Sequence, residues 1–178
     1  MFEIKKLDFG FIIVCPNLKS ISLKNTVKSL KYSHPGCPVI AVVPNNVKAE
    51  TLKEMKEICN VYKGKSTVTS WMNTGLRNTT TNWNVFIVSG NWIKNKIIDK
   101  FSKFINDDSD ILFPIMNGIY NFKDCDISGL CINRKVFKEV GPFAEQGAID
   151  KCKEEWSIYA HGMCGSKFKA ILGIVVES

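Results

Sequence analysis

Apolar residues fall along this chain in short unbroken runs, separated by stretches where they recur every three or four positions. Phe11-Ile12-Ile13-Val14-Cys15 is continuous, as suits a strand covered on both faces. Leu23, Val27 and Leu30 then share one face of a helix that ends at Ser33-His34-Pro35-Gly36. A second apolar run over 39–43 reaches Pro44-Asn45-Asn46, and the next helix carries Leu52, Met55 and Ile58 on its stripe. A short strand near Val61-Tyr62 leads to Thr69, the expected N-cap of a helix through Met72 and Leu76. Val85-Phe86-Ile87-Val88 is another buried run, and Ile93, Ile97, Phe101 and Phe104 predict an amphipathic helix after it. Four strand–helix units in succession predict a parallel sheet with right-handed crossovers. The second half is less regular. Strands are expected over 111–115 and 127–132, a helix over 134–140 ending at Gly141, a helix around 152–163, and a last strand over 170–176.

Length and composition agree with one globular domain. The 178 residues are 45% hydrophobic and 23% charged, and no Gly/Ser-rich or Pro-rich linker or internal repeat divides them. The net charge of +7 raises a nucleic-acid reading, but Arg77 and Arg134 are the only arginines. The residue best shaped for forked contacts to phosphates and bases is therefore almost absent, and the lysines are spread along predicted helical faces. A solvated lysine-rich surface is expected, with no nucleic-acid partner. Seven cysteines, at 15, 37, 59, 125, 131, 152 and 164, include no C-x-x-C pair, and only His34 and His161 could help them hold zinc. Reduced, mostly buried thiols and a cytoplasmic location are the expectation. The apolar run after Lys5 and Lys6 lasts seven residues before Pro16, too short to span a bilayer.

Parallel sheets of this kind bind ligands beyond the carboxyl ends of their strands. Those ends are Pro16-Asn17, Pro44-Asn45-Asn46 and Ser89-Gly90-Asn91. None carries G-x-G-x-x-G or a phosphate loop ending in Gly-Lys-Ser/Thr, so dinucleotide and P-loop readings lack their main support.

The stretch Ile127-Ser128-Gly129-Leu130-Cys131-Ile132-Asn133-Arg134-Lys135-Val136-Phe137-Lys138-Glu139-Val140-Gly141-Pro142-Phe143 resembles a segment of the GT-A, family-2-like glycosyltransferases. There a glycine-bearing strand leads to a basic helix ending in Val-Gly-Gly-Phe, with Glu-Asp at the start of a helix about a dozen residues later. Glu154-Glu155-Trp156 stands at that distance here. Asn73-Thr74-Gly75-Leu76-Arg77-Asn78 is similar to the family's helix before its metal-binding strand.

The resemblance implies an α/β, single-domain GT-A-like (Rossmann-like) fold, a mostly parallel sheet flanked by helices. Residues 1–105 would be its nucleotide-binding half and 106–178 its acceptor and catalytic half. It further implies a nucleotide-sugar donor (UDP- or GDP-linked) and a glycan or other hydroxyl acceptor. Pro16, Asn17, Asn45, Asn46, Asn73, Arg77, Ser89, Gly90 and Asn91 would lie on the donor side, Gly129 and Trp156 on the acceptor side. Glu155, with Glu154 beside it, would be the carboxylate that deprotonates the acceptor in an inverting transfer. Each has a plainer reading: Asn and Pro favour turns, and acidic residues stabilise helix N-termini.

One part of the family's pattern is absent. Its fourth strand ends in Asp-x-Asp, whose carboxylates hold Mn²⁺ or Mg²⁺ against the donor diphosphate. Here the strand ends in Ser89-Gly90-Asn91. Arg77 and the lysines could serve the phosphates instead, the acidic run Asp107-Asp108-Ser109-Asp110 could supply ligands, or catalysis has been lost. A transferase of doubtful metal dependence and an inactive nucleotide- or glycan-binding module are thus the two expectations.

Overall fold

Each continuous apolar run becomes a strand whose alternate side chains enter two different cores. The computed structural model describes residues 8–93, 96–105, 110–114, 126–171 and 176–177. In β1 (Phe9–Val14), Phe9, Phe11 and Ile13 face one core, and Ile12 and Val14 face the other. Side chains alternate along a strand, so an all-apolar strand fits only where both faces are covered.

The first core lies under α1 (Ser20–Ser33), α2 (Ala49–Ile58) and α4 (Ile97–Ile105), which contribute Leu23, Val27, Leu30, Met55, Ile97 and Phe101. The second lies under α3 (Val68–Asn78), α5 (Arg134–Val140) and α6 (Ile149–Cys164), with Met72, Leu76, Phe137 and Trp156. The chain is a sheet between two helical layers.

β1, β2 (Val39–Pro44), β3 (Asn60–Gly64) and β4 (Trp83–Val88) pair in parallel in the order β3-β2-β1-β4. A short pair, β5 (Trp92–Ile93) with β9 (Val176–Glu177), lies apart. β6 (Ile111–Pro114), β7 (Cys131–Asn133) and β8 (Phe168–Ile171) extend the sheet to seven strands in the order β3-β2-β1-β4-β7-β6-β8. β7 runs antiparallel to both neighbours, and β6 and β8 are parallel to each other. The mostly parallel α/β architecture is as expected from the sequence.

Several boundaries differ. Thr67, not Thr69, caps α3: its hydroxyl accepts the Ser70 N–H at 3.2 Å, and Thr69 is buried inside the helix. Ile93 belongs to β5 rather than to the following helix, because its backbone pairs with Val176. Residues 127–130 form a turn leading into β7 rather than a longer strand. Ile115 and residues 172–175, expected in strands, lie outside the described residues.

His34 ties α1 to α4. Its Nδ1 pairs with Ser33 Oγ at 2.8 Å, its Nε2 accepts the Ile98 N–H at 3.5 Å, and its ring lies 5.1 Å from that of Phe11. Burial holds the imidazole below its ordinary value, opposed by Asp99 and reinforced by Lys96. The unfolded chain therefore takes this proton first as pH falls. His34's contribution is complete above about 6.5 and is lost on acidification below it. In urea unfolding across that range, the stability gap between the protein and His34→Leu should narrow with falling pH. A gap constant with pH would show that His34 takes up its proton over the same pH range in both states.

Candidate functional site

Three loops converge on the edge where the parallel strands end. After β1, Pro16 and Asn17 are exposed, and the Cys15 N–H donates to Val42 O at 3.0 Å. After β2, a turn closes through Val47 N–H to Pro44 O (3.2 Å) and leaves Asn45 and Asn46 exposed. The Asn45 N–H is held by Gly64 O at 2.8 Å. After β4, Ser89 N–H donates to Val14 O at 2.9 Å, and Asn91 N–H to Val88 O at 3.0 Å. This last turn is tight enough to need φ +98° at Gly90, a left-handed conformation that glycine takes without strain.

Two hydroxyls fix that turn. Thr26 Oγ1, from α1, accepts Gly90 N–H at 2.9 Å and donates to Asn91 O at 3.1 Å. Ser128 Oγ accepts Val88 N–H at 2.9 Å and Asn91 Nδ2 at 2.7 Å, and Ser128 N–H donates to Asp126 Oδ1 at 3.1 Å. Gly129 follows with φ +92° and donates its N–H to Phe86 O at 2.8 Å. Pro16, Asn17, Asn45, Asn46, Ser89, Gly90, Asn91 and Gly129 therefore share one edge. No local pattern in the sequence marks Thr26, Ser128 or Asp126 as functional. Ser128, a buried hydroxyl inside the apolar run 127–132, was the available signal.

This edge offers poor ligands to a hard divalent cation. Ser89 is neutral and buried, Asn91 offers one neutral amide oxygen, Asp126 offers one carboxylate that already accepts the Ser128 N–H, and among the described residues no group of three His, Cys, Asp or Glu stands together. A carboxylate-poor set of this kind does not fit Mn²⁺ or Mg²⁺, which want several charged oxygens. Asp110 is no remedy: at the start of β6 it accepts Lys167 N–H at 3.2 Å, at the opposite edge of the sheet. Asp107, Asp108 and Ser109 lie outside the described residues. Cys15, beside Ser89, is pushed up to about 12 by burial despite the hydroxyl, so it stays a neutral thiol.

Of the cations expected to serve the phosphates, lysines stand at this edge and Arg77 does not. Arg77 stands in the last turn of α3, which runs from the carboxyl end of β3 back to the amino end of β4. A helix rises 1.5 Å per residue, so Arg77 sits roughly 14 Å from the start of α3, away from the loops. Lys19, Lys48 and Lys65 each follow a strand end and are exposed there instead.

Asn73, expected on the donor side, has no exposed surface. Its Nδ2 donates to Phe143 O at 2.9 Å and its Oδ1 accepts Phe143 N–H at 2.9 Å. The side chain thus clamps residues 141–145 onto α3. Trp156 completes the wall: its ring stacks on Phe143 at 4.5 Å and its Nε1–H donates to Gly141 O at 2.9 Å. Glu145 pairs with Lys65 at 3.0 Å, and that hydrogen bond holds its carboxyl below the usual range, with burial opposing and Asn73 and Arg77 adding to it.

Glu154 and Glu155 are exposed on α6, but the helix starts at Ile149, so they occupy its second turn rather than its start. Apolar spacing over Ile149, Cys152, Trp156 and Ala160 would have allowed the longer helix. The acid in the first turn is Asp150, 3.5 Å from the buried ammonium of Lys153. α6 feeds β8, which is parallel to β6, so its first turn lies at the carboxyl edge of β4 and its end at the other. Glu155 lines a hollow of about 320 Å³ with Val140, Pro142, Trp156 and Tyr159, and no residue of the three loops lines it.

No family profile and no curated protein matches this sequence. Solved structures do. S. aureus TarS matches with a TM-score of 0.63 and 14% identity, over 93% of this chain and 37% of that one. Glucosyl-3-phosphoglycerate synthase from Mycobacterium tuberculosis, in complex with Mn²⁺, UDP and phosphoglyceric acid, matches with a TM-score of 0.67 and 12% identity, over 92% and 68%. S. aureus TarS 1-349 in complex with UDP gives 0.59 and 15%, over 93% and 60%. The chain spans between about a third and two thirds of the lengths of these proteins. Identity this low establishes the fold, which is GT-A-like.

Proposed function

We propose that this chain is a glycosyltransferase domain that binds a nucleotide-sugar donor, UDP-linked in the first instance, at the carboxyl edge of its parallel strands. The observation that carries the reading is the convergence of the exposed loops at 16–17 and 45–46 with the half-buried turn at 89–91 on a GT-A-like sheet, Asn91 being fixed to Ser128. The solved UDP complexes share this fold. Residues up to 105 would hold the nucleotide and those from 106 the acceptor. Asn45 and Asn46 would offer short polar groups to base and ribose, and the exposed Lys19 and Lys48, with Lys65 on leaving Glu145, would meet phosphate oxygens.

The reaction would be a single displacement. The acceptor hydroxyl oxygen attacks the anomeric carbon, the bond to the diphosphate breaks, and a carboxylate takes the hydroxyl proton. The family's position for that carboxylate is the start of a helix, held in this fold by Asp150. Glu155 stands one and a half turns further from the edge. We therefore assign Asp150 as the acceptor base ahead of Glu155. The leaving diphosphate is served by lysines, with no step through a metal.

A second reading, binding without turnover, is favoured by the neutral Ser89-Gly90-Asn91 turn, where developing diphosphate charge meets no cation holder. One experiment separates the two. Ligands that bind only the native state raise the melting temperature, by an amount worth about 2.7 kcal/mol at a hundred times Kd. UDP and UDP-sugars should raise it equally with Mn²⁺ and with EDTA, and the best-binding donor should be hydrolysed or transferred. Stabilisation with no turnover across donors and hydroxyl acceptors would leave the binding module. No stabilisation by any nucleoside diphosphate at millimolar concentration would remove both readings.

A further inference from the structure

The net charge of +7 is not spread evenly over the fold. Between Lys19 and Lys63 the chain has eight lysines and three glutamates, so this quarter of the sequence carries most of the excess. The imbalance lies in one helix. α1 and its N-cap hold Lys19, Lys24, Lys28 and Lys31 with no acidic residue, whereas α2 and its N-cap hold three lysines and three glutamates.

At 100° per residue, Ile21, Lys24, Lys28, Lys31 and Tyr32 fall within an arc of about 100° on α1. All five are exposed, opposite the buried Leu23, Val27 and Leu30. Ile21 is 59% exposed and Tyr32 91%, two large apolar side chains at the two ends of a lysine stripe roughly 16 Å long. Among the described residues, no ion pair engages Lys24, Lys28 or Lys31. The stripe borders a hollow of about 660 Å³, floored by Val27 and Ile58, with Glu54 and Glu57 on its far wall.

Unpaired lysines interleaved with an exposed isoleucine and tyrosine suit a flat surface with anionic head groups over hydrocarbon. The lysines meet the charge, and the apolar side chains enter the interface. A soluble polyanion would draw on the lysines alone and give Ile21 and Tyr32 nothing to do. We propose that the outer face of α1 docks the protein onto an anionic lipid bilayer, with the helix axis along the surface. α1 begins just after Pro16-Asn17, so docking would hold the candidate donor site beside the membrane plane.

Co-sedimentation with vesicles tests this directly. The full chain should bind phosphatidylcholine vesicles in which roughly one third of the lipid is phosphatidylglycerol, and should not bind phosphatidylcholine alone. Binding should weaken strongly as salt shortens the Debye length from about 10 Å at 0.1 M to about 3 Å at 1 M. Each lysine is worth about fivefold near such a surface, so the triple variant Lys24→Gln/Lys28→Gln/Lys31→Gln should lose about 100-fold in partition. Ile21→Ser/Tyr32→Ser should lose several-fold at every salt concentration. All five side chains are exposed, so melting temperatures should stay at the unsubstituted value and exclude misfolding. Unchanged partition of the triple variant, or equal binding to neutral vesicles, would overturn the proposal. Tight heparin or RNA binding with no effect of Ile21→Ser/Tyr32→Ser on vesicle partition would overturn it in favour of a polyanion site. The assay reads no sugar transfer, so its failure would leave the transferase reading standing, and the reverse.

Discussion

Asn73→Ala is expected to lower the unfolding free energy by about 4 kcal/mol, and the melting temperature by roughly 10 °C. The size follows from what the side chain does. Its amide satisfies both the N–H and the carbonyl of Phe143 at 2.9 Å each, in a place with no exposed surface. Deleting it leaves two buried backbone groups without partners, each costing about 1–3 kcal/mol, and opens a small void between α3 and residues 141–145. Trp156 stacks on Phe143, so the near-ultraviolet circular dichroism of its indole should change as well. Asn73→Asp keeps an acceptor for the Phe143 N–H but sets a carboxylate against the Phe143 carbonyl, and should do no better. A loss under about 1 kcal/mol in urea unfolding would mean that 141–145 is held by Trp156 and Lys65 without the clamp.

Asp150→Asn should reduce sugar transfer by about 10²–10⁴-fold, the usual worth of a positioned general base, with a small change in donor KM. Asp150 is exposed, and its pair with Lys153 is the structural cost to watch. A melting curve should separate a lost base from a loosened first turn of α6. Glu155→Gln should retain most of its activity, because Glu155 lines a hollow that none of the strand-end loops reaches. The opposite pattern, an active Asp150→Asn and a dead Glu155→Gln, would return the role to Glu155. Full activity in both would remove α6 from the chemistry.

The gathering of the strand-end loops at one edge was legible in the sequence because strand ends are local. A continuous apolar run that stops at Pro16, Pro44 or Ser89 marks where a buried strand must meet solvent. Parallel pairing then brings such ends to one edge whatever the details of the loops. The start of α6 was less legible. Glu154-Glu155 drew attention as an acidic pair, yet helix onset is set by whether the preceding turn can enter a helix. Gly147-Ala148 permits an earlier start at Ile149 with no capping side chain. Asn73 looked like a ligand because it is a polar residue in a family-like helix. Its burial depends on residue 143, seventy positions away, and no local pattern records that pairing.

The sequence by itself determined the α/β class, the strand–helix alternation, the two-sided burial of β1 and β4, and the neutral Ser89-Gly90-Asn91 turn after β4. These follow from side-chain periodicity and residue identity, which act over a few residues. Only the tertiary structure decided that Ser128 reaches Asn91, that Arg77 stands at the far end of α3, and that Asn73 is a clamp. It also decided that three lysines with no ion pair among the described residues share the face of α1 with Ile21 and Tyr32. Those outcomes depend on which surfaces meet across the sheet and which are left to solvent, and packing alone settles that.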